Sequence, residues 1–340
     1  MRKKRDARLI AFSVILLFFI AGCENGDDGG GGAPTTPFLG GTEGLEIKFL
    51  EGNPPGEVTD GGTFPFQVLV SLKNKGEFDL KKEQVKIDLI GFLPEDFGIT
   101  SAEDKEKLTG QNPEDDPSPK QRDSEGNIIE PIDTFVTFPS ASSSVEEFNF
   151  GGSIPGNTVF IFRADVCYSY HTRVVSEICV LESMVDVADD AICDPSEEKD
   201  VFSSGSPIKV DSFRQSVAGR DRIQFSFDIV HSGSGSIFDA TTDAYCPKST
   251  SERRIKEDRI TVNVATGLSA GSLNCVGLDK SETDASASGV IRLVRGKRTI
   301  TCTQNLDVDR SDFKKGVDIT LDFNYLDKVD QEVLVKHLIS

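Results

Sequence analysis

Three histidines, His171, His231 and His337, are the first residues to test for acid–base or metal chemistry. None of them lies in an H-x-x-x-H or H-x-E pattern, the spacings typical of metal ligands and their general bases. A phosphate-binding G-x-x-x-x-G-K loop does not occur either. The sequence therefore predicts a protein that is not an enzyme.

Carboxylates are frequent in one acidic, proline-bearing segment, residues 101–130. Calcium prefers several oxygen ligands around a sharp turn, and Glu125-Gly126-Asn127 provides a turn. Calcium is the one candidate cofactor, although the spacing does not match an EF-hand loop. A solvated hairpin turn is the alternative, and Asp307, Asp309 and Asp312 leave the same two alternatives open. The candidate ligands are Asp115, Asp116, Asp123 and Glu125.

Seven cysteines are present, and an even set of six remains if Cys23 is modified. An even set in an exported chain favours disulfides, and six cysteines allow 15 pairings. We expect a hairpin turn near Arg173, which would place Cys167 opposite Cys179. Cys275 would then pair with Cys302 in two strand-like segments, and Cys193 with Cys246. Buried free thiols are the alternative.

The N-terminus combines a basic start, an apolar run from Leu9 to Ile20, and Ile20-Ala21-Gly22-Cys23. The apolar run is shorter than the ~20 residues of a membrane span. This pattern resembles the lipobox of prokaryotic lipoproteins. The resemblance implies cleavage before Cys23 and a lipid anchor on that cysteine, which attaches the protein to the membrane. Residues 1–22 would be the signal peptide and residues 23–44, rich in glycine, a flexible tether.

The formal net charge of −19 excludes one class of partner. A nucleic-acid-binding surface needs a basic footprint, which an acidic chain of this kind does not offer. No nucleic-acid partner is expected.

From Leu45 onward, apolar residues alternate with polar ones at the period of a β-strand. The clearest runs are 64–73, 85–89, 158–166, 223–229 and 317–325. Ser101 would cap one short helix that ends near Leu108. The pattern predicts an all-β fold of antiparallel strands with one polar face.

The chain also repeats itself. Residues 164–181 align with residues 319–336 at an offset of 155, and residues 66–79 align with 223–239 at a similar offset. Each copy of the first pair is interpreted as strand, turn, strand. Such agreement predicts duplicated domains: domain 1 at 45–190 with the loop insertion 101–130, a join at 191–204, and domain 2 at 205–340.

The strand spacing and the Asn74-Lys75-Gly76 turn resemble immunoglobulin-like modules of the cell-adhesion-related kind. The resemblance implies two tandem β-sandwich domains on the extracytoplasmic face of the cell membrane. We expect a non-enzymatic binding, adhesion or envelope-structural module, with another surface or envelope protein or a glycan as partner. The first alternative is a calcium-dependent or carbohydrate-binding adhesin. A secreted hydrolase with accessory domains lacks a catalytic segment, and a solute-binding lipoprotein needs two α/β lobes.

Overall fold

The computed structural model describes residues 36–241, 243–269, 271–280 and 285–338. Residues Pro37–Ser340 form one compact unit. In the described ranges, strands dominate and the two α-helices are short. None of the helices in these ranges is long and apolar enough to cross a membrane. The all-β prediction is confirmed.

Residues 36–180 form eight strands and one α-helix. They are β1 (Leu45–Phe49), β2 (Glu57–Thr59), β3 (Val68–Asn74), β4 (Val85–Ile90), α1 (Ala102–Glu106), β5 (Gln121–Arg122), β6 (Ile128–Ile129), β7 (Thr134–Phe138) and β8 (Thr158–Val180).

The described residues after 180 form eleven further strands and a second α-helix. They are β9 (Glu198–Lys199), β10 (Val201–Ser203), β11 (Ile208–Gly219), β12 (Arg222–His231), β13 (Ser236–Asp239), α2 (Thr250–Lys256), β14 (Arg259–Ala265), β15 (Asn274–Cys275), β16 (Asp279–Lys280), β17 (Ser286–Arg292), β18 (Lys297–Asn305) and β19 (Phe313–Lys336).

Two smaller sheets lie on one face of a nine-stranded sheet. The large sheet has the order β10-β8-β19-β14-β17-β16, with β4, β13 and β2 pairing beside β8 or β19. The smaller sheets are β1-β3-β7 and β15-β18-β12-β11-β9. Tyr170 of β8 contacts Asn74 of β3, and Tyr325 of β19 contacts His231 of β12. Since both tyrosines belong to the same buried face, the core lies between the large sheet and the two smaller ones.

The predicted hairpin at Arg173 is wrong, because β8 continues straight through it. β8 has 23 residues and pairs antiparallel with the 24 residues of β19 along its whole length. Tyr170, Thr172 and Val174 are all buried on one face, so the alternation does not break. The segment Tyr170-His171-Thr172-Arg173-Val174 contains none of the Gly, Asn, Asp or Pro residues that a tight turn favours.

The disulfide pattern corrects two of the three predicted pairs. Cys167 is bonded to Cys246, and Cys179 to Cys193. A continuous strand holds Cys167 and Cys179 far apart along its axis, since each residue advances about 3.3 Å. The Cys275–Cys302 pair is confirmed, and it joins neighbouring strands β15 and β18.

The repeat has a geometric counterpart at the centre of the β8–β19 ladder. Ser169 pairs with Asn324, and these residues are 155 positions apart, which is the offset of the sequence repeat. Tyr170 donates to Asn74 at 3.1 Å, and the aligned Tyr325 meets the aligned His231 at 3.0 Å. The two copies therefore run antiparallel beside each other. Whether they form separable domains at the predicted boundaries stays a prediction.

The acidic insertion contains ordered local structure. α1 begins after Ser101, whose hydroxyl accepts the Asp104 amide, as the capping pattern predicted. β5 and β6 form a small hairpin closed by the turn at Glu125-Gly126. The predicted hairpin turn at Glu125-Gly126-Asn127 is therefore present in this loop.

Candidate functional site

An open groove lies on the outer face of the nine-stranded sheet, at the centre of the β8–β19 ladder. We call it the waist groove. It encloses about 390 Å³, a volume within the range of small-ligand clefts. Its lining includes Phe78, Gln84, Ser169, His171, Thr241 and Asp322.

The floor of the waist groove is a histidine–carboxylate pair. His171 and Asp322 are directly opposed in the β8–β19 register, and His171 Nδ1 lies 2.6 Å from Asp322 Oδ1. The side chains keep 25% and 37% of their surface exposed, so both can reach a ligand. Neither His171 Nε2 nor Asp322 Oδ2 has a hydrogen-bond partner within the described ranges.

One wall of the groove is aromatic. Phe78 follows β3, and its ring centroid lies 5.6 Å from that of His171 and 5.4 Å from that of Tyr170. The Asn74 amide donates to the Phe78 carbonyl at 2.7 Å, which fixes the backbone of this turn. Phe78 is only partly buried, so part of its ring faces the groove.

The opposite wall is the segment between β13 and α2, held down by Asn324. The Asn324 amide nitrogen has two hydrogens to donate, and it lies 3.0 Å from the Asp239 carbonyl, 2.6 Å from the Thr241 hydroxyl and 3.1 Å from the Tyr245 carbonyl. Its amide oxygen accepts the Ser169 hydroxyl at 2.7 Å. The same segment carries Cys246, bonded to Cys167, and Lys248, which lies 2.6 Å from Asp88. The wall is therefore fixed at both of its ends.

This arrangement does not assemble a nucleophilic triad. A catalytic serine gives its hydroxyl proton to the imidazole of the base. Ser169 lies two residues before His171, but its hydroxyl donates to Asn324. The described side chains of the groove are suited to hydrogen bonding and ring contact.

The other two histidines serve in the framework. His231 Nε2 lies 3.0 Å from the Tyr325 hydroxyl, and burial lowers the pKa of His231. His337 Nδ1 lies 2.7 Å from Asp60 Oδ2, and Asp60 also accepts the amides of Leu338 and Ile154. These hydrogen bonds, that of Leu338 first, lower the pKa of Asp60 to about 2.

Two of the predicted calcium ligands, Asp116 and Asp123, accept hydrogen bonds from backbone amides. Asp116 accepts the Lys82 amide at 2.9 Å, and the Asp115 backbone bonds to the Thr134 hydroxyl. Asp123 accepts the amides of Glu125 and Asn127, which closes the β5–β6 turn. In the described ranges, no group of three His, Cys, Asp or Glu residues is placed to hold a metal ion. The weaker candidates also have partners: Asp307 accepts the Ser269 hydroxyl and Asp312 the Glu182 amide.

Residues 267–271 match the letters G-x-S-x-G, a pattern that needs a strand-to-helix turn to expose a nucleophile. Ser269 follows β14, but the next element is the strand β15. The Ser269 hydroxyl donates to Asp307 at 3.3 Å. The match therefore lacks the context of a nucleophile elbow.

Sequence reasoning missed Phe78, Asn324 and the pairing of His171 with Asp322. The alignment of residues 164–181 with 319–336 could have indicated this pair. It would have done so if the two copies had been interpreted as neighbouring antiparallel strands. Cys23 and the signal peptide lie outside the described residues. Of the predicted tether, Leu39 and Gly40 donate their amides to Glu77, at 2.9 and 2.8 Å.

Comparisons with known proteins identify no family. No family model matches the chain, and no curated protein matches it. One solved structure that it matches is the secreted serine protease VesC from Vibrio cholerae, at 7% identity and a TM-score of 0.17. The match covers 83% of this chain and 50% of that one, so the chain spans about half the length of that structure. At this TM-score, the likeness supports neither a fold nor an activity.

Proposed function

We propose that this chain is a non-enzymatic, lipid-anchored protein of the extracytoplasmic face of the cell membrane. The observation that carries the proposal is the set of three disulfides, Cys167–Cys246, Cys179–Cys193 and Cys275–Cys302. Disulfides persist in oxidising compartments outside the cytoplasm. This placement agrees with a lipid on Cys23, which would be its contact with the membrane.

The protein acts as a binding, adhesion or envelope-structural module built from two immunoglobulin-like β-sandwiches. The β8–β19 ladder supports this role, because 23 residue pairs join the two halves without a linker. A stiff module holds its loops and grooves in a fixed geometry for a partner. The partner is another surface or envelope protein or a glycan, and the net charge of −19 disfavours nucleic acid.

The hydrogen bonds of the three histidines support a non-enzymatic role. His231 and His337 bond to Tyr325 and Asp60, and none of the serines that the structure describes donates to His171. A broad activity screen of the purified full chain checks this part. Reproducible turnover that disappears in His171→Gln would contradict it.

Detergent phase partitioning tests the anchor. Wild-type protein should enter the detergent phase, whereas Cys23→Ser should stay in the aqueous phase because it has no thiol to lipidate. Gly22→Ala is the matched control, since it keeps a small residue before the cysteine and should partition like wild type. Mass spectrometry should find a lipid-modified Cys23 at the mature N-terminus. An unmodified Cys23 in membrane-extracted protein would refute the anchor.

A further inference from the structure

The waist groove combines one partly exposed aromatic ring with the hydrogen-bonding side chains of Gln84, His171 and Asp322. Phe78 presents the ring, while His171 Nε2 and Asp322 Oδ2 are open to a ligand. The Gln84 side-chain oxygen accepts the Lys81 amide, which holds Gln84 at the rim. Together these groups offer both donors and acceptors at the edge of an apolar surface.

The lining excludes several ligand chemistries. Of the described residues that line the groove, none is lysine or arginine, the side chains that recognise phosphate and carboxylate groups. A lipid or another apolar ligand needs a predominantly hydrophobic lining, whereas Gln84, Ser169, His171, Thr241 and Asp322 make more than half of the described lining polar. An ammonium ligand would find only one anionic partner, because Asp322 is the one carboxylate among the described lining residues.

A neutral sugar fits the remaining chemistry. One face of a pyranose presents C–H groups that pack on an aromatic ring, and its hydroxyls both donate and accept hydrogen bonds. We infer that the waist groove binds a neutral saccharide unit, with Phe78 against the sugar face and His171 and Asp322 bonded to its hydroxyls. The inference rests on the proposed function, because it names the ligand class of that binding module.

Histidine NMR on the full-length chain tests this site directly. The chain has three histidines, so a ¹³C-histidine sample gives three ring signals, assigned with one His→Gln variant each. The protein is kept in a detergent without a sugar headgroup. The probes are cellotetraose, maltotetraose, mannotetraose and chitotetraose, with spermidine and inorganic phosphate as charged probes. Sedimentation with insoluble cellulose and chitin distinguishes a glycan surface from a free sugar.

We expect at least one tetrasaccharide to shift the His171 signal while the His231 and His337 signals stay in place. Phe78→Leu and His171→Gln should each weaken its binding by at least about fivefold, as measured by calorimetry. Phe64→Leu is the matched control for the ring, because Phe64 is 42% exposed and does not line the groove. His337→Gln is the matched control for the histidine, because it removes a second histidine–carboxylate pair, His337 with Asp60, that does not line the groove.

The inference is overturned if no tetrasaccharide shifts His171, or if binding is unchanged in both Phe78→Leu and His171→Gln. It is also overturned if spermidine or phosphate displaces the bound sugar, or if either of them shifts the His171 signal when no sugar is present. The Cys23 partitioning experiment has an independent readout. A failed sugar titration with an intact anchor therefore refutes the saccharide site and leaves the proposed function in place.

Discussion

The Cys167–Cys246 disulfide should contribute more to stability than either of the other two. It closes a loop of 79 residues, compared with 27 for Cys275–Cys302 and 14 for Cys179–Cys193. The chain entropy that a crosslink removes from the unfolded state grows with the logarithm of loop length. At 25 °C, this relation gives a stabilisation of about 4.5 kcal/mol for Cys167–Cys246, about 3.6 kcal/mol for Cys275–Cys302 and about 3.0 kcal/mol for Cys179–Cys193.

Replacing both cysteines of one disulfide by alanine measures how much that bond contributes to the free energy of unfolding. Each double variant, such as Cys167→Ala with Cys246→Ala, is unfolded in urea and followed by circular dichroism. Three of the four tyrosines, Tyr168, Tyr170 and Tyr325, are buried, so the near-ultraviolet signal should report loss of the core. Peptide mapping without reduction first confirms which cysteines are joined.

The expected losses of unfolding free energy follow the loop lengths, largest for the Cys167–Cys246 pair. The fold should survive in each variant, since none of the three disulfides joins β8 to β19. If removal of Cys179–Cys193 costs more than removal of Cys167–Cys246, loop entropy does not govern these bonds. A peptide joining Cys167 to Cys179 would refute the continuous β8 strand itself.

Three further predictions concern the framework. Gly76→Ala should lower the melting temperature strongly, because the new Cβ would overlap the Tyr170 hydroxyl and the Gly205 carbonyl oxygen, whereas the Cβ of Gly56→Ala meets nothing within 4 Å and should not. The depressed pKa of Asp60, about 2, means that its stabilisation is present above its unfolded pKa, about 4, and is lost as pH falls toward 2. The melting temperature of Asp60→Asn should therefore change less over that range than that of wild type. Burial lowers the pKa of His231, so stability should also fall as pH drops below about 6.5, and His231→Gln should reduce this slope in thermal melts.

Much of the strand content could be predicted from alternation alone. The runs at 85–89 and 223–229 lie within β4 and β12, because one face of each strand is buried and the other is only partly buried. The lengths of β8 and β19 were not predicted, because the sequence analysis placed a turn at Arg173 and a corresponding turn in the second copy. A polar residue in a β-strand and a polar residue in a turn look alike in a single sequence, and only the partner strand distinguishes them.

The groove was harder to predict than the strands. His171 and Asp322 are 151 residues apart, and only the register of β8 against β19 brings them together. The two wrong disulfides have the same origin, because Cys167 meets Cys246 through the segment after β13, which carries no periodic pattern. Local signals such as the Ser101 cap and the turn at Glu125-Gly126 were recoverable because they involve neighbours in sequence.

The repeat creates two equivalent places on the outer face near the centre of the β8–β19 ladder. Their different side chains explain why the waist groove opens at only one of them. Two residues beyond the Ser169–Asn324 pair in one direction lies the His171–Asp322 pair, and two residues in the other direction lies Cys167 opposite Leu326. These positions are equivalent under the repeat. On the Cys167 side, Cys246, Phe238 and Ala244 cover the sheet in a small apolar cluster. The equivalent position at His171 is polar and open, so the duplicated strands carry two matched places on the outer face. One is closed by a disulfide-linked segment, and the other remains available to a ligand.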